Sequence, residues 1–412
     1  MQLKKAVSTF AGTALSGILC AVLLTGCGTL QNGEMPLPAE SETSRSNDQT
    51  EEKTKGEDAE DGEITGSTEK TDDTEEPKTS GTGKTVPEIW NREWPSNVDL
   101  PSSYDYREHE RAPKIGNQGS LGTCWAFASL TALESTLLPK QKETFSVDHM
   151  SMHNHFLLGQ DEGGEYTMSM AYLLSWEGPV WESEDPYGDG FSPDGLKARE
   201  HVQEIQILPS KDYEAIKKAV YLEGGVQSSL YTSMRDYESE SVYYNRDTNS
   251  YCYIGTEKPN HDSVIVGWDD DYPKENFNME LEGDGAFICT NSWGEDFGDQ
   301  GYFYVSYYDT NIGVHNIVYT GVEPADNYDH NYQSDLCGWV GQIGYGRDSA
   351  WFANAYTAGK GENLEAAGFY ATDQNTDYEL YVARHLGEKA DQTFGQRVKV
   401  AEGRLRYAGF YT

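Results

Sequence analysis

The 412-residue chain carries 69 acidic side chains against 31 basic ones, a formal net charge of −38. With no basic face to meet phosphates, a nucleic-acid partner is excluded, and the balance suits a solvated, exported protein. Surface acidity on this scale reads as solubility, not as a calcium site, and no cofactor is expected.

Lys4 and Lys5 precede an uncharged apolar stretch over residues 6–24, which ends in Leu24, Thr25, Gly26 and Cys27. A positive start, an apolar middle and a small-residue cleavage point make a secretory signal over residues 1–26. The ending resembles the lipobox of bacterial lipoproteins, which implies a lipid on Cys27, a membrane anchor and an extracellular location. A plain membrane-spanning anchor is the alternative, disfavoured by the Ser, Thr and Gly that interrupt the stretch. Residues 27–88 then turn to Glu, Asp, Ser, Thr, Gly and Lys, with no aromatic residue before Trp90. Such a segment cannot bury a core and is expected to be a disordered acidic linker.

Residues 89–325 carry the chemistry. Ala126, Leu130, Leu133 and Leu137 lie on one face of a predicted helix that starts at Cys124 and stops before Pro139. A cysteine there meets unpaired backbone N–H groups and the positive dipole end, which favour its thiolate and are expected to lower its pKa. His261 heads a short, β-branched run that reads as a buried strand, and Asn291 follows another such run, 286–290. Neighbouring strands of one sheet could set His261 beside Asn291, with the amide orienting the imidazole. Gln118, six residues before Cys124, could donate to an oxyanion together with the Cys124 backbone N–H.

Taken in order, Gln118, the run Cys124, Trp125, Ala126, Phe127, the pair Asn260 and His261, and the run Asn291, Ser292, Trp293, Gly294 resemble the signature of the papain family of cysteine peptidases. The likeness spans roughly residues 100–310. It implies an α+β, two-domain fold with a helical left domain and a β-barrel-like right domain. It also implies Cys124 as nucleophile, His261 as general acid and base, Asn291 as orienter and Gln118 as oxyanion donor. Gly163 and Gly164 would pair with an extended peptide substrate, Tyr166 would wall a neighbouring pocket, and Trp293 would shield the His261–Asn291 contact. The family's usual half-cystines are missing: Leu121 and Asp161 stand where one pair is expected, and His153 replaces another. The active-site loop must therefore be held by packing. An acidic insertion at 270–284 reads as an exposed hairpin loop.

Cys252, Cys289 and Cys337 remain after the leader, lipid and active-site cysteines are set aside, so the chain forms one disulfide or none. His149, His153 and His155 have partial metal-ligand spacing but no completing Glu or Cys, and read as packing or surface residues. Residues 326–412 change to short aromatic runs between turn residues, with strands expected at 349–356, 366–370, 378–382 and 397–401. This part resembles the lectin-like β-sandwich of some bacterial papain-like peptidases and is expected to be an incomplete sandwich. Its aromatic residues are read first as a core and second as a glycan-stacking surface. The expected function is a surface-anchored cysteine endopeptidase acting on protein or peptide substrates. A non-catalytic adhesin or glycan-binding protein on the same scaffold is the alternative.

Overall fold

The computed structural model describes residues 91–412 and the backbone of the strand Gly17–Gly26. The lipid-attachment residue Cys27 and the acidic linker lie outside the described residues. In chain order the strands are β1 Gly17–Gly26, β2 Ser103–Asp105, β3 Glu200–Ile207, β4 Val226–Leu230, β5 Tyr244–Asn245, β6 Ser250–Tyr251, β7 His261–Asp269 and β8 Ala286–Thr290. They continue with β9 Tyr302–Ser306, β10 Asn316–Pro324, β11 Ser349–Thr357, β12 Phe369–Ala371, β13 Thr376–Ala383, β14 Val398–Leu405 and β15 Ala408–Tyr411. The helices are α1 Cys124–Leu137, α2 Val147–Met152, α3 Tyr166–Leu174, α4 Tyr213–Leu222 and α5 Ala390–Phe394.

Helix α1 is buried from Trp125 to Ser135 on almost every side, as a helix that is apolar all round must be. It packs against β7, whose run of Val264, Ile265, Val266 and Trp268 is buried throughout. Strand β7 lies between β4 and β8 in the larger sheet, both antiparallel to it, and β2 also pairs with it. That sheet is open rather than closed into a barrel, and runs from β12 and β15 through β3, β10, β4, β7, β8 and β9 to β6 and β5. Ser146 caps α2 by accepting from the His149 N–H at 3.0 Å.

The insertion between β7 and β8 is more than an exposed loop. Its Tyr272, Phe277 and Leu281 are buried with Cys252 and Ala286 in a small satellite core, and the Tyr272 ring stacks on Tyr304 at 4.3 Å. Apolar residues interleaved with the acidic ones dock it, while Glu275 and Glu282 stay at the surface.

Beyond residue 325 the expected strands form as β11 to β14, and β15 adds a fifth. A second sheet has the order β11, β1, β13, β14, so the segment Gly17–Gly26 within the apolar stretch is a strand between β11 and β13. Strand β15 crosses to the other sheet: Ala408 to Tyr411 pair antiparallel with Ile207 to Glu204 of β3. The second apolar core, Phe369, Tyr378, Leu380, Leu405 and Tyr411, accounts for much of the aromatic content of this part. A cavity of about 740 Å³ is lined by Trp176, Gln203, Asn331, Tyr332, Trp339 and Tyr370 among others. It lies between the two parts of the molecule and does not include Cys124.

Candidate active site

Each end of the site is fixed by backbone pairing. The antiparallel register of β7 and β8 sets Val264 opposite Thr290, so the start of one strand and the residue after the other meet. His261 Nε2 and Asn291 Oδ1 are 2.8 Å apart there. The same Oδ1 accepts from the Ser292 backbone N–H at 2.8 Å. An oxygen held by two donors identifies the side-chain orientation and puts the imidazole proton on Nε2, which leaves Nδ1 as the basic nitrogen. The Trp293 ring lies 4.9 Å from the His261 ring, tilted by 34°, and is itself buried.

The segment before Cys124 is stitched to the segment after Asn291. Gln118 N–H donates to Ser292 O at 2.7 Å, and Gly294 N–H donates to Gly116 O at 2.9 Å. Gln118 is buried, with Oε1 accepting from Ser292 Oγ at 2.6 Å and Nε2 donating to Leu121 O at 2.7 Å. One N–H of this amide therefore remains for another acceptor. Thr123, at the N-cap of α1, makes no cap hydrogen bond; its hydroxyl lies 2.6 Å from Tyr187 Oη, which in turn donates to Gln118 O at 3.0 Å. The first-turn N–H groups of α1 are thus left without a side-chain acceptor, as an oxyanion site requires.

The brace that replaces the missing disulfide is main chain. Gly122 N–H donates to Gln160 O at 2.8 Å, and a Cβ at Gly122 would lie 2.8 Å from Gly163 N. A Cβ at Gly164 would strike Trp125 Nε1 at 2.5 Å. Only glycine permits both approaches, which hold the exposed edge of Gly163 and Gly164 close to Cys124. Tyr166 opens α3 just beyond, with its ring 6.0 Å from that of His315.

The thiol differs from the sequence expectation. Burial pushes Cys124 up to about 12, and the Asp262 charge adds to this; the backbone N–H groups near the sulfur, those of Asp262 and Trp125, pull the other way and are outweighed. Position in the chain reveals the helix terminus but not how deeply the sulfur sits. Burial also lowers His261, against the opposing effects of Asn291 and Asp262. The resting pair is therefore neutral, with the thiol as acid and Nδ1 as base. No hydrogen bond joins them among the described residues, so the proton transfer needs a small adjustment when substrate binds.

Several supporting residues escaped the sequence reading. Asp262 is buried, with Oδ1 accepting from Ser229 Oγ at 2.6 Å and Oδ2 from Gln227 Nε2 at 3.0 Å. An acid within an apolar strand was the visible signal; its partners on β4 are recognisable only from the register that sets Ser229 opposite Asp262. Of the histidine cluster, His149 is buried, 2.8 Å from Tyr172 Oη, and stacked on His153 at 4.3 Å. Burial first, and then His153, lower it to about 4, which fits a packing role. The four described cysteines are free thiols, and Cys289 is wholly buried.

Comparison with known proteins points the same way. Residues 100–322 match the family described as "Papain family cysteine protease", and residues 331–412 match "Lectin like domain". A cathepsin L-like peptidase of Aedes aegypti is 27% identical over 218 residues, covering 50% of this chain and 59% of that protein. Cathepsin S of Bos taurus is 29% identical over 227 residues, covering 51% of this chain and 63% of that protein. The chain thus spans about three-fifths of the length of these relatives. Among solved structures, the cysteine protease and lectin-like domains of Cwp84, a surface layer associated protein of Clostridium difficile, align with a TM-score of 0.63 at 25% identity, over 76% of this chain and 71% of that one. A second structure of Cwp84, of a variant after propeptide cleavage, aligns with a TM-score of 0.60 at 24% identity, over 75% of this chain and 79% of that one.

Proposed function

Because the chain belongs to the papain family of cysteine proteases, we propose that it is a surface-anchored endopeptidase that cleaves peptide bonds through an acyl-enzyme on Cys124. The observation that carries this reading is the 2.8 Å contact between His261 Nε2 and Asn291 Oδ1, which leaves Nδ1 as the base for the thiol. In this mechanism an extended peptide lies along Gly163 and Gly164 with its carbonyl over Cys124. Nδ1 takes the thiol proton as sulfur attacks, and the developing oxyanion is met by the Gln118 amide and the Cys124 backbone N–H. The imidazolium then returns the proton to the leaving amine. A water deprotonated by His261 releases the acyl group. Trp293, packed on the imidazole, keeps solvent from the His261–Asn291 contact.

The test is hydrolysis of a quenched peptide library by the full chain under reducing conditions. Cys124→Ala is expected to remove turnover by about a millionfold, to the detection limit. Turnover equal in the two proteins would sink the peptidase reading and favour the adhesin, whose binding would act through the lectin-like part. Anchoring through a lipid on Cys27 is supported by the Lys4, Lys5 and apolar leader composition. Cys27→Ala is expected to release the protein from the membrane fraction of an exporting cell, and membrane retention equal to the native chain would count against a lipid there.

A further inference from the structure

Asp262 is an anion in search of a cation. It follows His261 in β7, is only 9% exposed, and has both oxygens held by neutral donors, Ser229 and Gln227. Gln227 is fixed in its turn, accepting from Ser129 Oγ at 2.8 Å and donating to Trp125 O at 3.4 Å. No lysine or arginine forms an ion pair with Asp262 among the described residues. A carboxylate kept out of water in this way is costly unless a positive charge reaches it.

Its position says where such a charge would come from. The Asp262 N–H lies against the Cys124 sulfur, and its carboxylate acts electrostatically on Cys124, Tyr166 and His315 alike. Tyr166 walls the cleft next to the nucleophile, beside His315, and the exposed Glu165 precedes it. Burial first, then the charges of Glu165 and Asp262, push the Tyr166 phenol up to about 12, so it stays a neutral aromatic surface. Two carboxylates and one aromatic ring converge on the cleft wall, while the nearest cationic candidates are histidines. An aromatic face with an anion behind it is a receptor for an ammonium or guanidinium group.

We propose that this pocket admits a lysine or arginine side chain of the substrate, within two residues ahead of the scissile bond, held between the Tyr166 ring and the Asp262 carboxylate. The assignment rests on the peptidase reading and adds the substrate class. It makes Asp262 a specificity-determining residue and Glu165 an outer attractor for the same charge.

The experiment is a positional scan with the full chain, in which Lys, Leu and Glu are exchanged one position at a time ahead of the cleaved bond. At one position kcat/KM is expected to favour Lys over Leu by about tenfold and to be lowest for Glu. Asp262→Asn, which keeps an oxygen acceptor and removes the charge, is expected to reduce the Lys-to-Leu ratio by about fivefold or more. Glu165→Gln lies at the surface and is expected to reduce the same ratio by a smaller factor, so it still reports if Asp262→Asn does not fold. Equal turnover of Lys and Leu peptides, or a ratio that the folded variants leave unchanged, overturns the assignment while leaving the peptidase intact. Failure to cleave any peptide overturns the peptidase reading, and the assignment with it.

Discussion

At the scale of residues, Cys124, His261, Asn291 and Gln118 are legible in the sequence because each stands beside a local signal, a helix start or a buried run. Their setting is not. Burial sets the protonation of the pair, and burial is decided by distant segments such as β4 and the loop before α1. His261 must be unprotonated to accept the thiol proton, and its pKa is lowered from 6.5 by burial. The acid limb of kcat/KM is therefore expected below pH 6.5, with activity rising as pH increases through it. With the thiol at about 12, no alkaline fall is expected between about pH 7 and 9. A pH–rate profile checks both, and an acid limb above pH 7 would contradict the burial of His261. Asp262 shows the limit of sequence reading most clearly. It stands in the open in the motif, yet its significance depends on Ser229 and Gln227 across the sheet.

At the scale of elements, the helix from Cys124 and the strand from His261 follow from periodicity and β-branched composition, and both lie where expected. The turn geometry between Leu121 and Gly164 does not follow, because two loops distant in sequence must be docked before the glycines have anything to approach. Gly122→Ala places a methyl group 2.8 Å from Gly163 N, with backbone on both sides and little room to yield. Overpacking of this kind is expected to cost about 1–3 kcal/mol. Chemical denaturation should show the loss of stability, and peptide hydrolysis should fall with it, since the same shift moves the Gly163 edge away from Cys124. A variant as stable and active as the native chain would show that the brace lies elsewhere. The insertion at 270–284 reads as exposed for a related reason: its acidic composition conceals three apolar residues that find partners only after β8 and β9 have paired.

At the scale of the molecule, the change of composition after residue 325 marks a second structural part, but not how it is joined to the first. Strand β15 extends the larger sheet at β3, Tyr407 packs at 5.7 Å from Trp94, and Phe410 lies against the main core. A shared sheet leaves neither part able to lose its order alone. Calorimetry of the full chain is expected to give one unfolding transition; two well-separated transitions would show that the β15–β3 pairing carries little energy. The glycine brace has a redox consequence for the whole protein. With the four described cysteines free and the nucleophile's loop held by amide and carbonyl groups, reductants find no structural bond to break in residues 91–412. Oxidation and reduction there act on the reactive sulfur alone, so the protein can be inactivated by mild oxidants and restored by thiols with its scaffold unchanged.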